Sequence, residues 1–193
     1  MPPKAKITKE MILNAVLDIT RENGYETVNA RSIAGKLQCS TRPIFTCYDN
    51  MDQLKMDFLA FAYEYYQQYV VNYSNAEHVS SYLVLPLSYI EFAREEPHLF
   101  KLLFINDIDL NMAEAKDFYK EPDNEKRAEH FANDIGIGLA RAKVIFLDLF
   151  LYTHGIAVLA ADKKLAIDKK SAEGMLANVL SAFIRQEKTE RKI

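Results

Sequence analysis

ILNAVLDITRENGYETVNARSIAGKLQCSTRPIFTCYDNMDQL, residues 12–54, is the stretch on which the fold turns. Its first eight residues, Ile12 to Ile19, place apolar side chains at i, i+3, i+4 and i+7, the spacing of an amphipathic helix. Asn23-Gly24-Tyr25 predicts the end of that helix, because Gly24 can take the left-handed conformation that closes one. Ile33, Ala34 and Leu37 carry a second short helix. Cys39 to Tyr48 reads as a third, with Ser40 as its expected N-cap. Three short helices at this spacing make a helix-turn-helix, in which the third fits the major groove of a duplex while the second braces against the phosphate backbone.

The same residues carry a family resemblance. Ile12, Ala15, Ile19, Gly24-Tyr25 and Val28, then Ile33-Ala34, then Ser40, Ile44-Phe45, Tyr48 and Leu54 recur in an order and with gaps that resemble the TetR/AcrR family of bacterial transcriptional regulators. The frame covers 43 residues. Further along, Phe92-Ala93-Arg94-Glu95-Glu96-Pro97-His98-Leu99-Phe100 resembles the helix-Pro-helix junction of the family's effector domains, and His154-Gly155-Ile156-Ala157 a pattern in its penultimate helix. The resemblance implies an all-α protein: a three-helix DNA-binding head over residues 1–50 and a helical effector-binding and dimerisation domain over 51–193. It implies a homodimer joined through its last two helices, binding a near-palindromic double-stranded operator, most often as a repressor that a small-molecule effector releases.

Periodicity beyond Asp49 agrees with an all-helical chain. A long aromatic-rich helix is expected over Met51–Tyr73, with a break at Asn72 to Glu77. Val79 to Glu95 forms another, with Pro86 expected to kink it or mark an irregularity. Pro97 to Phe104 follows, with Pro well placed in a first turn. A loop is expected around Glu121-Pro122-Asp123, then helices over Asn124–Ile137, Ala140–Ala161 and Lys169–Gln186. Val144, Leu147, Leu151 and Val158, with Leu176, Val179, Leu180 and Phe183, are candidates for the apolar face between subunits.

Charge and composition fit this reading. The chain carries a formal charge of -3, but residues 1–50 hold seven Lys/Arg against five Asp/Glu, leaving the deficit to the remainder. A mildly basic head allows phosphate contact at one end. Six Gly and six Pro in 193 residues suit few tight turns. No run approaches 18 uninterrupted apolar residues and the first residues lack the apolar core of a signal peptide, so a cytoplasmic protein without a membrane partner is expected.

Several side chains are candidates for DNA contact. Ser40 and Thr41, at the start of the third helix, suit phosphate or base edges. Arg42 suits guanine O6 and N7, and Pro43 presents an apolar patch to a thymine methyl. Phe45 and Thr46 complete the groove-facing set, while Ile44 and Tyr48 are expected to face inward. Arg31 falls where the family often places a basic contact. Lys4 and Lys6 form an arm for the backbone. Two positions depart from the family pattern. Met51 stands where the fourth helix usually offers a Lys, leaving Lys55 one turn later as its substitute, and Cys47 stands where a polar aromatic or His is common.

The resemblance places an effector pocket within the helical body. Phe61, Tyr65, Tyr89, Phe92, Phe104, Phe146 and Phe150 are its candidate lining, although aromatic residues at helical spacing are more often plain core. Such a lining suits a planar or hydrophobic molecule. No catalytic, cofactor or metal site is expected. There is no glycine-rich phosphate loop and no GxSxG elbow, the four His are scattered, and two Cys without a nearby His make no zinc site. Cys39 and Cys47 read as small hydrophobes ahead of a redox pair. Two other function classes stand beside the regulator. An enzyme would need a site assembled from scattered residues. A DNA-binding protein without transcriptional control would lack a two-fold operator and a ligand response.

Overall fold

A computed structural model describes residues 6–77, 79–106 and 112–190. Every regular element among them is helical, and they form two compact units: Met1–Gln68 with Glu96–Asp107, and Tyr69–Glu95 with Ile108–Ile193. The first one runs on into the fourth helix and takes back a segment from beyond residue 95.

In the first unit, helix α1 spans Lys9–Asn23. The Thr8 hydroxyl caps it by accepting the Met11 N–H at 3.2 Å. Its other end is closed by Gly24, whose N–H donates to the Thr20 carbonyl at 2.9 Å. Gly24 has φ +84° as expected of a closing glycine, but ψ 153° sends the chain off extended instead of along a left-handed turn. A short 3-10 turn at Tyr25–Thr27 leads to helix α2, Ala30–Lys36. Asn29 caps it by accepting from the N–H groups of Arg31 and Ser32, both at 3.0 Å, while the Ser32 hydroxyl accepts from the Asn29 N–H at 2.9 Å. That is a reciprocal capping box.

Helix α3 spans only Arg42–Cys47. Thr41, not Ser40, holds the N-cap position, and its side chain makes no capping bond. The reason is local: Pro43 has no N–H, so the first turn has one donor fewer for a cap to satisfy. Gln38, between α2 and α3, sits at φ +51°, a left-handed conformation that costs a side-chain-bearing residue free energy.

Helix α4, Met51–Ala76, runs through the break expected at Asn72–Glu77. Asn and Ser there are weak helix formers, but no Gly or Pro interrupts the run, and extending an existing helix is far easier than starting one. At its start the Asn50 side chain accepts the Gln53 N–H while the Gln53 side chain accepts the Asp49 N–H, both at 2.8 Å. Ile12, Val16, Ile33, Ile44, Leu54 and Phe58 form the core of the first unit with Leu99 and Phe100. These last two lie on a short helix, α6 (Pro97–Lys101), which packs on α1 and widens into a π-helical turn at Leu102–Asn106.

The second unit begins with the end of α4 and helix α5, Ser81–Glu95, which continues through Pro86 as one element. A 3-10 helix covers Ala115–Lys120. The loop expected at Glu121-Pro122-Asp123 is instead the start of helix α7, Pro122–Ile135, because Pro fits the first position of a helix. Gly136, at φ 68° and ψ 40°, closes α7 in the left-handed conformation. Helices α8 (Leu139–Ala161) and α9 (Lys169–Glu190) complete the unit, with α8 packed against α5, α7 and α9.

Helix α8 is long and apolar enough, by length and composition, to cross a membrane. Much of its apolar surface instead packs within the unit. The face proposed from sequence for subunit pairing divides accordingly. Leu147, Leu176 and Leu180 are buried in the unit itself, and Val158, Val179 and Phe183 are half-buried. The outward stripe is Val144, Leu151 and Leu159, which are 49%, 53% and 44% exposed, with Met175 of α9 also exposed.

Candidate nucleic-acid interface

Helix α3 buries one side and leaves in water the side that the sequence offers for DNA contact. Ile44 and Tyr48 lie in the core as expected. Burial pushes the Tyr48 phenol up to about 12, with a smaller contribution from the nearby carboxylate of Asp57. The Tyr48 ring is further held under the Lys9 ammonium, 4.6 Å from the ring centre, and that ammonium also pairs with Asp57 at 3.1 Å.

On the opposite side Arg42, Phe45 and Thr46 are exposed and Pro43 is half-buried. Phe45 leaves 50% of its surface in water, an unusual exposure for a phenylalanine. The Thr46 hydroxyl donates back to the Arg42 carbonyl at 3.0 Å. Arg31 is exposed on α2, beside a shallow concavity lined by Asn29, Ala30, Arg31 and Ser32. Among the described residues, the guanidinium groups of Arg31 and Arg42 have neither ion-pair nor hydrogen-bond partners.

The other candidates are placed less simply. Ser40 is exposed, Thr41 is half-buried, and Lys6 is exposed ahead of α1; Lys4 lies outside the described residues. Lys55 is half-buried, and its ammonium sits 5.7 Å over the Tyr25 ring, a cation–π contact that holds it against the protein. Lys36 is neutralised by Glu22 at 2.9 Å and Asp18 at 3.4 Å. Cys39 and Cys47 are half-buried free thiols, with the Cys47 sulfur 3.8 Å from the Ile7 carbonyl oxygen.

Sequence reasoning missed an ion pair that braces the first unit. The Arg21 guanidinium grips the Glu96 carboxylate through two bonds of 2.8 and 2.6 Å, and the Tyr65 hydroxyl donates to the same carboxylate at 3.1 Å. The Glu96 side chain is 9% exposed while that of Arg21 is 44% exposed. Arg21→Met should therefore cost about 1–2 kcal/mol. Removing the cation strands a desolvated carboxylate, but water screens the exposed partner. Urea unfolding checks this, and adding Glu96→Gln in the same chain should return part of the loss.

The candidate effector residues divide between the units. Phe61, Tyr65 and Phe104 belong to the first, where the Phe104 ring meets Tyr66 edge-on at 4.9 Å. Tyr89, Phe92, Phe146 and Phe150 belong to the second. Phe92 is fully buried against Tyr69, whereas Phe150 and Phe146 join a cluster with Phe118 and Phe131. At its edge the Tyr89 hydroxyl and His154 Nδ1 lie 2.9 Å apart, and the His154 ring stacks on Phe150 at 5.7 Å.

Burial lowers the His154 pKa below its ordinary 6.5. A folded state that disfavours the imidazolium binds fewer protons than the unfolded chain. Stability should thus be held above about pH 6.5 and decline as pH falls from there toward the lower folded value. Asp117 and Asp168, whose carboxyls are held below the ordinary 3.8 by hydrogen bonds, act only in a more acidic range. Melting temperatures of the wild type and His154→Gln between pH 7 and 5 should diverge in slope, with the variant the flatter of the two.

No protein-family model matches the chain, and no curated protein does.

Proposed function

We propose that the chain is a ligand-responsive transcriptional regulator of the TetR/AcrR type. It acts in the cytoplasm as a homodimer that represses by occupying a near-palindromic operator. One observation carries the reading: α3 buries Ile44 while presenting Arg42, Phe45 and Thr46 to solvent, with the Arg31 and Arg42 guanidiniums lacking partners among the described residues. An α-helix of this width fits the major groove of duplex DNA, where an arginine fork meets guanine acceptors. Helices α1 to α3 then serve as the helix-turn-helix head. The second unit accepts a planar, hydrophobic effector through its aromatic cluster of Phe118, Phe131, Phe146 and Phe150. Release follows only if the effector favours a head spacing that misses successive grooves, since equal affinity for both spacings shifts nothing.

The test is binding-site mapping across the native genome. A near-palindrome upstream of a few genes supports the regulator, and failure to enrich any site sinks it. Pairing of subunits is assigned to the outward stripe of α8, with α9. Leu151→Arg should therefore shift sedimentation from dimer to monomer without lowering helix content, because an unpaired charge in an apolar interface costs several kcal/mol.

A further inference from the structure

The outward chemistry of α3 goes further than groove binding. We infer that this helix reads its half-site through one guanine and the methyl groups of neighbouring thymines. Such readout rests on the DNA-binding function proposed above.

The six residues Arg42–Cys47 contain no carboxylate and no carboxamide. Asn and Gln, which pair both donor and acceptor of adenine, and Asp or Glu, which accept from the cytosine amino group, are missing from the helix. Arg42 offers donors alone, and its fork is held by no other group of the protein among the described residues. Guanine, with O6 and N7 both acceptors on its major-groove edge, is the base that matches it.

Apart from the Thr46 hydroxyl, the rest of the outward surface is apolar. Phe45 is 50% exposed, and Pro43 presents a half-buried ring that carries no N–H. Thr46 gives its hydroxyl proton to the Arg42 carbonyl at 3.0 Å. Thymine is the one standard base with an apolar group in the major groove, its C5 methyl. Pro43 and Phe45, which both follow Arg42 within one turn, therefore favour thymines beside the guanine. Removing one methyl from water is worth roughly a fourfold change in affinity.

The test uses the whole 193-residue chain and a duplex site recovered by selection from a random-sequence pool. That site is resynthesised with deoxyuridine replacing each thymidine in turn, which deletes only the methyl, and with 7-deazaguanine replacing each guanine, which deletes only the N7 acceptor. Binding is read by fluorescence anisotropy at one fixed salt concentration. At least one thymine per half-site should show a loss of roughly fourfold, and one guanine a loss of about tenfold or more. Phe45→Ala should bind the thymine and uracil forms alike at the thymine that Phe45 covers, and Arg42→Ala should be indifferent to the missing N7.

Uracil forms that bind the wild type within twofold at every position overturn the inference while leaving DNA binding intact. Methyl dependence that survives at every thymine in Phe45→Ala overturns the assignment to this residue. A pool that yields no enriched sequence overturns the DNA-binding reading and this inference together.

Discussion

Phe58→Ala should cost about 3–5 kcal/mol of stability and remove operator binding with it. Phe58 sits on α4 with none of its surface exposed, and its ring stacks on Tyr25 at 5.7 Å and 11°. Truncation leaves a cavity where the ring was. It also forfeits the aromatic pair, worth about 0.5–1.5 kcal/mol beyond its buried area. A domain of ordinary stability holds only about 5–15 kcal/mol in total. The loss is therefore a large share of what keeps the first unit folded. Tyr25 directly follows Gly24, so the stack ties the chain leaving α1 to α4. Urea unfolding followed by DNA titration checks the expectation. A loss under about 1 kcal/mol with DNA binding unchanged would show that α4 is not part of the unit that presents α3.

Arg42→Ala should leave the fold intact and weaken binding to the operator by a larger factor than any other exposed substitution. A well-placed arginine–guanine pair discriminates by about 1–3 kcal/mol, and a dimer loses it at both half-sites. The expected loss is therefore about 2–6 kcal/mol per operator, some 30-fold even at its lower end. The loss should be confined to the sequence that Arg42 reads, so discrimination against a changed base at that position should vanish. Arg31→Ala is the contrasting case. Taking a cation away from a phosphate there should weaken all duplexes about equally and reduce the dependence of log affinity on log salt by about one per phosphate released. Titrations of both variants at several salt concentrations separate the two roles. Equal, sequence-independent losses from both variants would remove base readout from Arg42.

What the sequence made legible was what lies close along the chain. The apolar spacing of Ile12, Val16, Ile33 and Ile44 anticipates both the three short helices and the side of each that is buried, since a helical period is written in neighbouring residues. The outward placement of Arg42, Phe45 and Thr46 follows from the same period. Ser40 and Thr41 were distinguishable only through the backbone, because either side chain is chemically able to cap.

Long-range pairing left no such trace. Arg21 and Glu96 are 75 positions apart, and nothing in their local sequence marks them as partners. The same holds for Lys55 over Tyr25, a cation that looks available for phosphate until its neighbour in space is known. Helix α8 fails for a different reason. It is apolar on nearly every side, so periodicity offers no way to separate the buried Leu147 from the exposed Leu151. Packing against α5, α7 and α9 makes that choice.

The first unit is assembled from two stretches of chain, Met1–Gln68 and Glu96–Asp107, with part of the second unit encoded between them. On the ribosome, α1 to α3 emerge early, but Glu96, Leu99 and Phe100, which brace and fill the same unit, are translated only after α5. At about 5–20 residues per second the nascent head waits on the order of seconds for its own core. In that interval Arg21 has no carboxylate to grip and α1 lacks the apolar cover of α6. A chain released early, after α4 but before α6, would carry every side chain proposed to face DNA and still lack the residues that brace α1.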